Sequence, residues 1–236
     1  MHKTLSIIIS AYNEEENVQA DLESAKEFLK GRIEDYELLV FNDGSSDQTG
    51  EIAKRLAKND SRIRVIHNSP NKGLAYIAKE GFRIAQKNYI TWFPGDNSID
   101  GNSMIPIIDQ IGRADIVVAY MANRQCRPLV RRILSVSFVM LINLLFGLKV
   151  KYYNGATVYP ADFVKKVRIF SNGYDFFAEL LVRSLKSGKT FKEVPFIHKY
   201  DPRAKSKAVS LRNFVSIVKT TGILIKDIYI RHKPCG

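Results

Sequence analysis

Cysteine is nearly absent: Cys126 and Cys235 are the only two in 236 residues. They lie far apart and in no metal-ligand or redox spacing, which leaves two free thiols in a reducing compartment. Acids are also short, with 24 Asp and Glu against 36 Lys and Arg. There is no Pro/Ser/Gly-rich linker, internal repeat or low-complexity tract, so one α/β domain with a C-terminal extension is the simplest organisation. No Ser-His-Asp or Cys-His set suggests nucleophilic catalysis. Met1-His2-Lys3-Thr4 enters a strand directly; with no separate apolar segment and cleavage site before it, no signal peptide is expected. The uncharged run from Ile133 to Leu148 falls short of the roughly twenty residues that span a bilayer.

What is present is basic and clustered. The formal charge is +12, a balance that suits nucleic acid, an anionic membrane surface or phosphorylated small molecules. The first hundred residues hold many acids. Arg124 to Arg132, Arg203 to Lys207 and Lys226 to Lys233 are strongly basic. That distribution favours anion-binding loops and a charged surface. A nucleic-acid module ranks last, because no known binding fold surrounds the basic loops.

The centre of the pattern is Tyr89-Ile-Thr-Trp-Phe-Pro-Gly-Asp-Asn-Ser98. Tyr89 to Phe93 is aromatic and β-branched, as in a buried strand. Pro94-Gly95 stops it and presents Asp96, Asn97 and Ser98. Leu5 to Ser10 and Glu37 to Phe41 read as two further strands, running into Tyr12-Asn13-Glu14 and Asn42-Asp43-Gly44-Ser45-Ser46-Asp47. Arg64 to His67 and Asp115 to Ala119 add two more. Helices with apolar faces fall between them: Val18 to Leu29, one around Ile52 to Leu56, Leu74 to Gln86 and Met104 to Ile111. Alternating strands and helices predict a parallel sheet. Ligands bind such sheets beyond the carboxyl ends of the strands, where the three acidic loops gather.

The order and content of these loops resemble the GT-A glycosyltransferases of family 2, with YNE, NDGSSD and a DXD-like acid. Within that family the chain looks like the dolichol- and polyprenol-phosphate sugar transferases. The resemblance covers roughly residues 4 to 210. It implies an open, mainly parallel sheet flanked by helices over 1–209, and a basic amphipathic helix and tail over 210–236. It also implies a nucleotide diphosphate sugar donor, with Ser10, Tyr12 and Glu14 lining the base and ribose pocket. Asp43 then contacts the base with Phe41 beside it, while Asp47 caps the following helix. The third loop departs from the pattern: the first carboxylate of Asp-X-Asp is missing, and Gly95-Asp96 is followed by Ser98 where relatives carry Gln. Mg²⁺ or Mn²⁺ keeps its waters and takes oxygens from the substrate, so Asp96 with Ser98 can serve as the metal site.

The second half carries the acceptor expectations. Ile133 to Leu148, preceded by Arg124, Arg127, Arg131 and Arg132, is read either as a buried core helix or as a helix lying in the membrane interface with arginines at lipid phosphates. Family likeness favours the second and assigns Arg131 to the site. Asn154 and Gly155 are candidate sugar contacts, as are Tyr174, Asp175 and Glu179. Asp201 to Lys207 resembles the family's mobile basic loop, implying that Arg203, Lys205, Ser206 and Lys207 close over the diphosphate. From Leu211, an apolar stripe of Leu211, Phe214, Val215, Val218, Gly222, Ile225 and Tyr229 predicts a helix for the membrane surface or a partner subunit. No span follows that helix, so peripheral attachment at the cytosolic face is expected, alone, as a homo-oligomer or with an anchored partner.

Three functions remain open. The first is inverting sugar transfer to a polyprenyl phosphate, whose anionic oxygen needs no strong base. Asp96, Arg203 and Lys205 then carry catalysis by stabilising the leaving diphosphate. The second is transfer to a glycan hydroxyl, requiring Glu179 or Asp175 as base. The third is a non-catalytic nucleotide-sugar binding subunit.

Overall fold

A computed structural model describes residues 3–200 and 211–235, with side chains from 215 onward in the last segment. Four strands form its centre: β1 (Leu5–Ala11), β2 (Tyr36–Asp43), β3 (Ile63–Asn68) and β4 (Tyr89–Pro94). All pair in parallel in the order β3-β2-β1-β4, and the two-residue β6 (Tyr159–Pro160) adds antiparallel to β4. β1 and β2 are almost wholly buried, as their continuous apolar runs require when helices cover both faces.

Register decides where the loops go. Ser10 pairs with Phe41 and with Pro94, and Asp43 pairs with Asn68. The carboxyl ends of β1, β2 and β4 therefore finish level at one sheet edge. α1 (Val18–Leu29), α2 (Thr49–Asn59) and α3 (Leu74–Ile84) return the chain between these strands. On α1, Val18, Leu22, Ala25 and Leu29 are buried as their spacing predicts. Phe28 meets Phe93 edge-on at 5.3 Å, fastening α1 to the strand that carries Asp96.

The strand predicted around Asp115 to Ala119 does not extend the parallel ladder. β5 (Ile116–Met121) pairs in parallel with β7 (Phe191–Phe196) as a separate two-stranded sheet. A single bridge, Val117 to Val158, ties it to the segment entering β6. Gly155 permits this junction, because a Cβ there would lie 2.0 Å from the Ala119 carbonyl oxygen.

α5 (Leu129–Phe146) settles one of the open alternatives. Only Val139, Ile142 and Phe146 are buried; Leu129, Val130, Ile133, Met140 and Leu144 stand in solvent. It is not a core helix. Among the described residues it is the one helix long and apolar enough to cross a membrane. α7 (Phe176–Lys186) lies in the core, and α8 (Leu211–Ile225), continued as a π-helical turn through Ile230, packs against it.

The face that α8 buries differs from the predicted stripe. Thr220, Leu224 and Asp227 point inward, while Val215, Val218 and Tyr229 are exposed. The reason is an ion network. Arg183 of α7 is 0% exposed; it donates to Glu179 at 2.9 Å, to Asp227 at 3.0 Å and to the Pro234 carbonyl at 3.2 Å. A buried guanidinium needs such partners, so Asp227 turns inward and the apolar stripe turns out. The side chains of Leu211 and Phe214 lie outside the described residues.

Candidate active site

The loops after β1 and β2 clasp each other. Asn13, at φ +56°, donates its N–H to Ser45 Oγ at 3.0 Å, and its side-chain oxygen accepts from Ser46 N at 2.9 Å. The Glu14 N–H donates to Thr49 Oγ1 at 2.8 Å, and the Glu15 carboxylate accepts from Gln48 N at 2.9 Å. Asp47 accepts from Thr49 N at 3.0 Å and from Glu15 N at 3.2 Å. Asp47 and Glu15 thus sit at the positive amino end of α2. Burial pushes the Asp47 carboxyl up, but the Thr49 hydroxyl and these N–H donors outweigh it and hold the group below its usual range.

Asp43 plays a larger structural part than its motif suggests. Its carboxylate accepts from Asn68 Nδ2 at 2.8 Å, Lys72 N at 2.9 Å and Gly73 N at 2.8 Å. Three of about four lone-pair positions are therefore filled by protein donors. Phe41 calls for a correction. Its ring is fully buried among Ile8, Leu39, Ala75 and Ala78, because β2 is covered on both faces, so it does not lie against a ligand base. Tyr12 is exposed at the β1 tip and Ser10 half-buried beside it.

The turn after β4 is fixed at both ends. Gly95 donates to the Ser10 carbonyl at 3.0 Å, and a Cβ there would lie 2.6 Å from that oxygen. Asp96 is exposed, and its carboxylate accepts from Ser98 N at 3.1 Å. The Ser98 carbonyl accepts from Lys199 N at 2.8 Å. Asp96 also acts electrostatically on Glu14, whose carboxyl is pushed up chiefly by burial, and on Tyr174, whose phenol is raised chiefly by burial. These residues share one edge of the molecule.

Two side chains not singled out as site residues belong here. Ile99 bridges His198, which places His198 beside the Asp96 turn. Its main chain is clamped by Asn123, which accepts from His198 N at 3.0 Å and donates to its carbonyl at 2.8 Å. Burial first, then Arg127, push the imidazole below its ordinary range, while Asp96 acts oppositely. The ring also hydrogen-bonds the Ser98 main chain, which acts in the opposite direction. Arg127 donates to Tyr152 OH at 3.3 Å, and its Nε is buried without a partner. Arg131, on the first turn of α5, acts on the same imidazole. The signal in sequence was the run of arginines; nothing there indicated His198.

Other candidates resolve differently. Glu179 is 0% exposed; it accepts from Arg183, from Phe170 N at 3.1 Å and from Ser171 N at 2.8 Å. It is a structural anion, not a base facing a substrate. Asp175 is buried and accepts from Ser216 Oγ at 2.8 Å. Gly155 is buried against β5 while Asn154 is exposed. Arg203, Lys205, Ser206 and Lys207 lie outside the described residues. No cluster of three His, Cys, Asp or Glu able to hold a metal occurs among the described residues. The exposed Asp96 carboxylate offers one donor, which fits Mg²⁺ or Mn²⁺ only when a substrate diphosphate and water complete most of the shell.

Comparison with known proteins places this edge in a family. The Glycosyl transferase family 2 model matches residues 6–169, and the chain belongs to that family. It is 28% identical over 204 residues to the undecaprenyl-phosphate mannosyltransferase of Micrococcus luteus, covering 80% of each chain. It is 24% identical over 225 residues to glycosyltransferase AglD of Haloferax volcanii, covering 90% of this chain and 35% of that one. The chain spans 26% to 40% of the length of four of the curated relatives it matches. Glucosyl-3-phosphoglycerate synthase from Mycobacterium tuberculosis, solved with Mn²⁺, UDP and glucosyl-3-phosphoglycerate, superposes with a TM-score of 0.67 at 15% identity over 93% of this chain and 80% of that one. The same enzyme has been solved with Mg²⁺ and UDP. The fold is GT-A.

Proposed function

We propose that the protein transfers a sugar from a nucleoside diphosphate sugar to a polyprenyl phosphate at the cytosolic membrane face, with inversion. The observation that carries this reading is one juxtaposition. The exposed Asp96 carboxylate and the half-buried Arg127 and Arg131 all act on the His198 imidazole, and Arg131 opens α5, whose outer face is apolar and exposed. An anionic head with a long apolar tail fits that sequence of surfaces. Similarity to the Micrococcus luteus mannosyltransferase supports a lipid phosphate acceptor. The Mn²⁺ and UDP bound by the mycobacterial synthase support a metal-assisted nucleotide donor.

The chemistry follows from the residues. A phosphate oxygen of the acceptor attacks the anomeric carbon. The new bond is carbon to phosphate oxygen; the bond to the donor diphosphate breaks, and its electron pair leaves with the diphosphate. The nucleophile is already anionic, so no base is required. Asp96 would hold a divalent ion, which would supply positive charge to the leaving diphosphate. Arg127 and Arg131 orient the acceptor phosphate. Tyr12, Glu14 and Asp43 form the nucleotide side of the site. Transfer to a hydroxyl is the weaker reading, since Glu179 is consumed by Arg183 and two main-chain donors.

The test is a turnover assay with UDP- and GDP-sugars, Mn²⁺ and a short polyprenyl phosphate in detergent. Release of nucleoside diphosphate that requires the lipid phosphate and is lost in Asp96→Ala is expected. Release only with hydroxyl acceptors would overturn the acceptor assignment. Donor binding without release under any acceptor would favour the non-catalytic subunit.

A further inference from the structure

Asp21 lies on the buried face of α1, 1% exposed. An acid among Val18, Leu22 and Ala25 is costly unless its oxygens are satisfied. It accepts the main-chain N–H of Asn97 at 3.0 Å. Asn97 follows Asp96 directly and has φ +52°, a conformation that a non-glycine residue adopts at some cost. Its side-chain oxygen accepts from Lys199 Nζ at 2.9 Å. The Asp96 turn is thus held from three sides: the Ser10 carbonyl at Gly95, Lys199 from the segment beyond β7, and Asp21 from beneath.

We propose that Asp21 is a positioning residue for the donor site: its carboxylate fixes the left-handed main chain at Asn97, and so sets where the Asp96 carboxylate stands. The assignment rests on the reading of Asp96 as a donor-binding residue. Asp21 makes no contact with substrate in this role and acts through the turn. Before Asp96 the main chain is held at Gly95 by the Ser10 carbonyl; after it, Lys199 holds the Asn97 side chain and the Ser98 carbonyl, and Asp21 holds the Asn97 N–H. Releasing that bond lets the Asn97 peptide rotate towards unstrained dihedrals and carries Asp96 with it.

Three variants of the full chain separate positioning from bulk stability. Asp21→Ala removes the acceptor. Asp21→Asn keeps a side-chain oxygen for the Asn97 N–H. Leu22→Ala weakens the same buried face without touching the turn. Amide exchange at Asn97, read by NMR without substrate, is expected to accelerate in Asp21→Ala and not in Asp21→Asn or Leu22→Ala. Apparent donor KM with Mn²⁺ is expected to rise about 10- to 100-fold in Asp21→Ala, with acceptor KM unchanged and recovery in Asp21→Asn. Unchanged Asn97 exchange in Asp21→Ala would overturn the proposal whatever the activity. An equal rise in donor KM for Leu22→Ala would reduce Asp21 to a stabilising residue. If exchange accelerates as expected while Asp96→Ala retains full turnover, Asp21 still positions the turn, and it is the donor role of Asp96 that fails.

Discussion

Replacing Glu179 distinguishes a base from a buried counter-ion. In the structure its carboxylate receives Arg183 Nε at 2.9 Å and the N–H groups of Phe170 and Ser171 at 3.1 and 2.8 Å. Arg183 in turn holds Asp227 of the C-terminal segment at 3.0 Å. Removing one partner of a buried ion pair costs about 3–5 kcal/mol. Each main-chain N–H left without an acceptor adds about 1–3 kcal/mol. Glu179→Gln retains one acceptor oxygen and belongs near the lower figure, about 3 kcal/mol; Glu179→Ala belongs above it. With a urea slope of about 3 kcal/mol/M for a domain this size, the Gln variant should lose about 1 M in unfolding midpoint. A double-mutant cycle with Arg183→Met should return a coupling of about 1–3 kcal/mol. The folded Glu179→Gln fraction should turn over donor at the wild-type rate per active molecule. A variant as stable as wild type yet inactive would refute the structural assignment and restore Glu179 as a base.

Other expectations test separate parts of the fold. Gly155→Ala should destabilise by about 1–3 kcal/mol in urea titration, because its Cβ would meet the Ala119 carbonyl at 2.0 Å; a neutral result would mean the β5 junction is placed wrongly. Leu144→Glu, at a side chain 82% exposed on α5, should leave the unfolding midpoint unchanged and weaken co-sedimentation with anionic vesicles about tenfold or more; undiminished binding would exclude α5 from the membrane surface. Burial, with lesser effects from Asp96 and Glu14, pushes the Asp21 carboxyl up to about 7, and the Asn97 N–H opposes the rise. Between about pH 4 and 7 the folded state then binds a proton that the unfolded chain does not, so stability falls as pH rises. Metal-free unfolding of Asp21→Asn should have a flatter pH dependence over that range; an unchanged slope would place its source elsewhere.

Much of the framework was legible because it follows from local pattern. The unbroken apolar runs at Leu5 and Glu37 mark strands covered on both faces, and the spacing from Val18 to Leu29 marks the inward stripe of α1. The gathering of the acidic loops follows from parallel topology alone. What the pattern hid were long-range choices of partner. Glu179 sits four residues before Arg183, yet its role depends on Asp227, which lies 44 residues beyond Arg183. That same pair decides which face of α8 turns inward, so the apolar stripe read from sequence ends up largely outside. Phe41 looked available beside its motif, but the covering of β2 by α3 buries it. His198 gave no sequence signal because long-range pairing of its segment with Ser98, Ile99 and Asp100 brings it to the Asp96 turn. Asp21 was invisible for the same reason: a carboxylate on an apolar helix face is explained by an amide 76 residues away.

The claim beneath all of this is that the tips of β1, β2 and β4 form one donor site. A crystal structure of the protein soaked with Mn²⁺ and whichever of UDP or GDP raises its melting temperature addresses it directly. The base should lie between Tyr12 and the Asn42 to Asp47 loop, with the diphosphate and the ion against Asp96. Density for the nucleotide elsewhere, with Asp96 facing empty solvent, would contradict it.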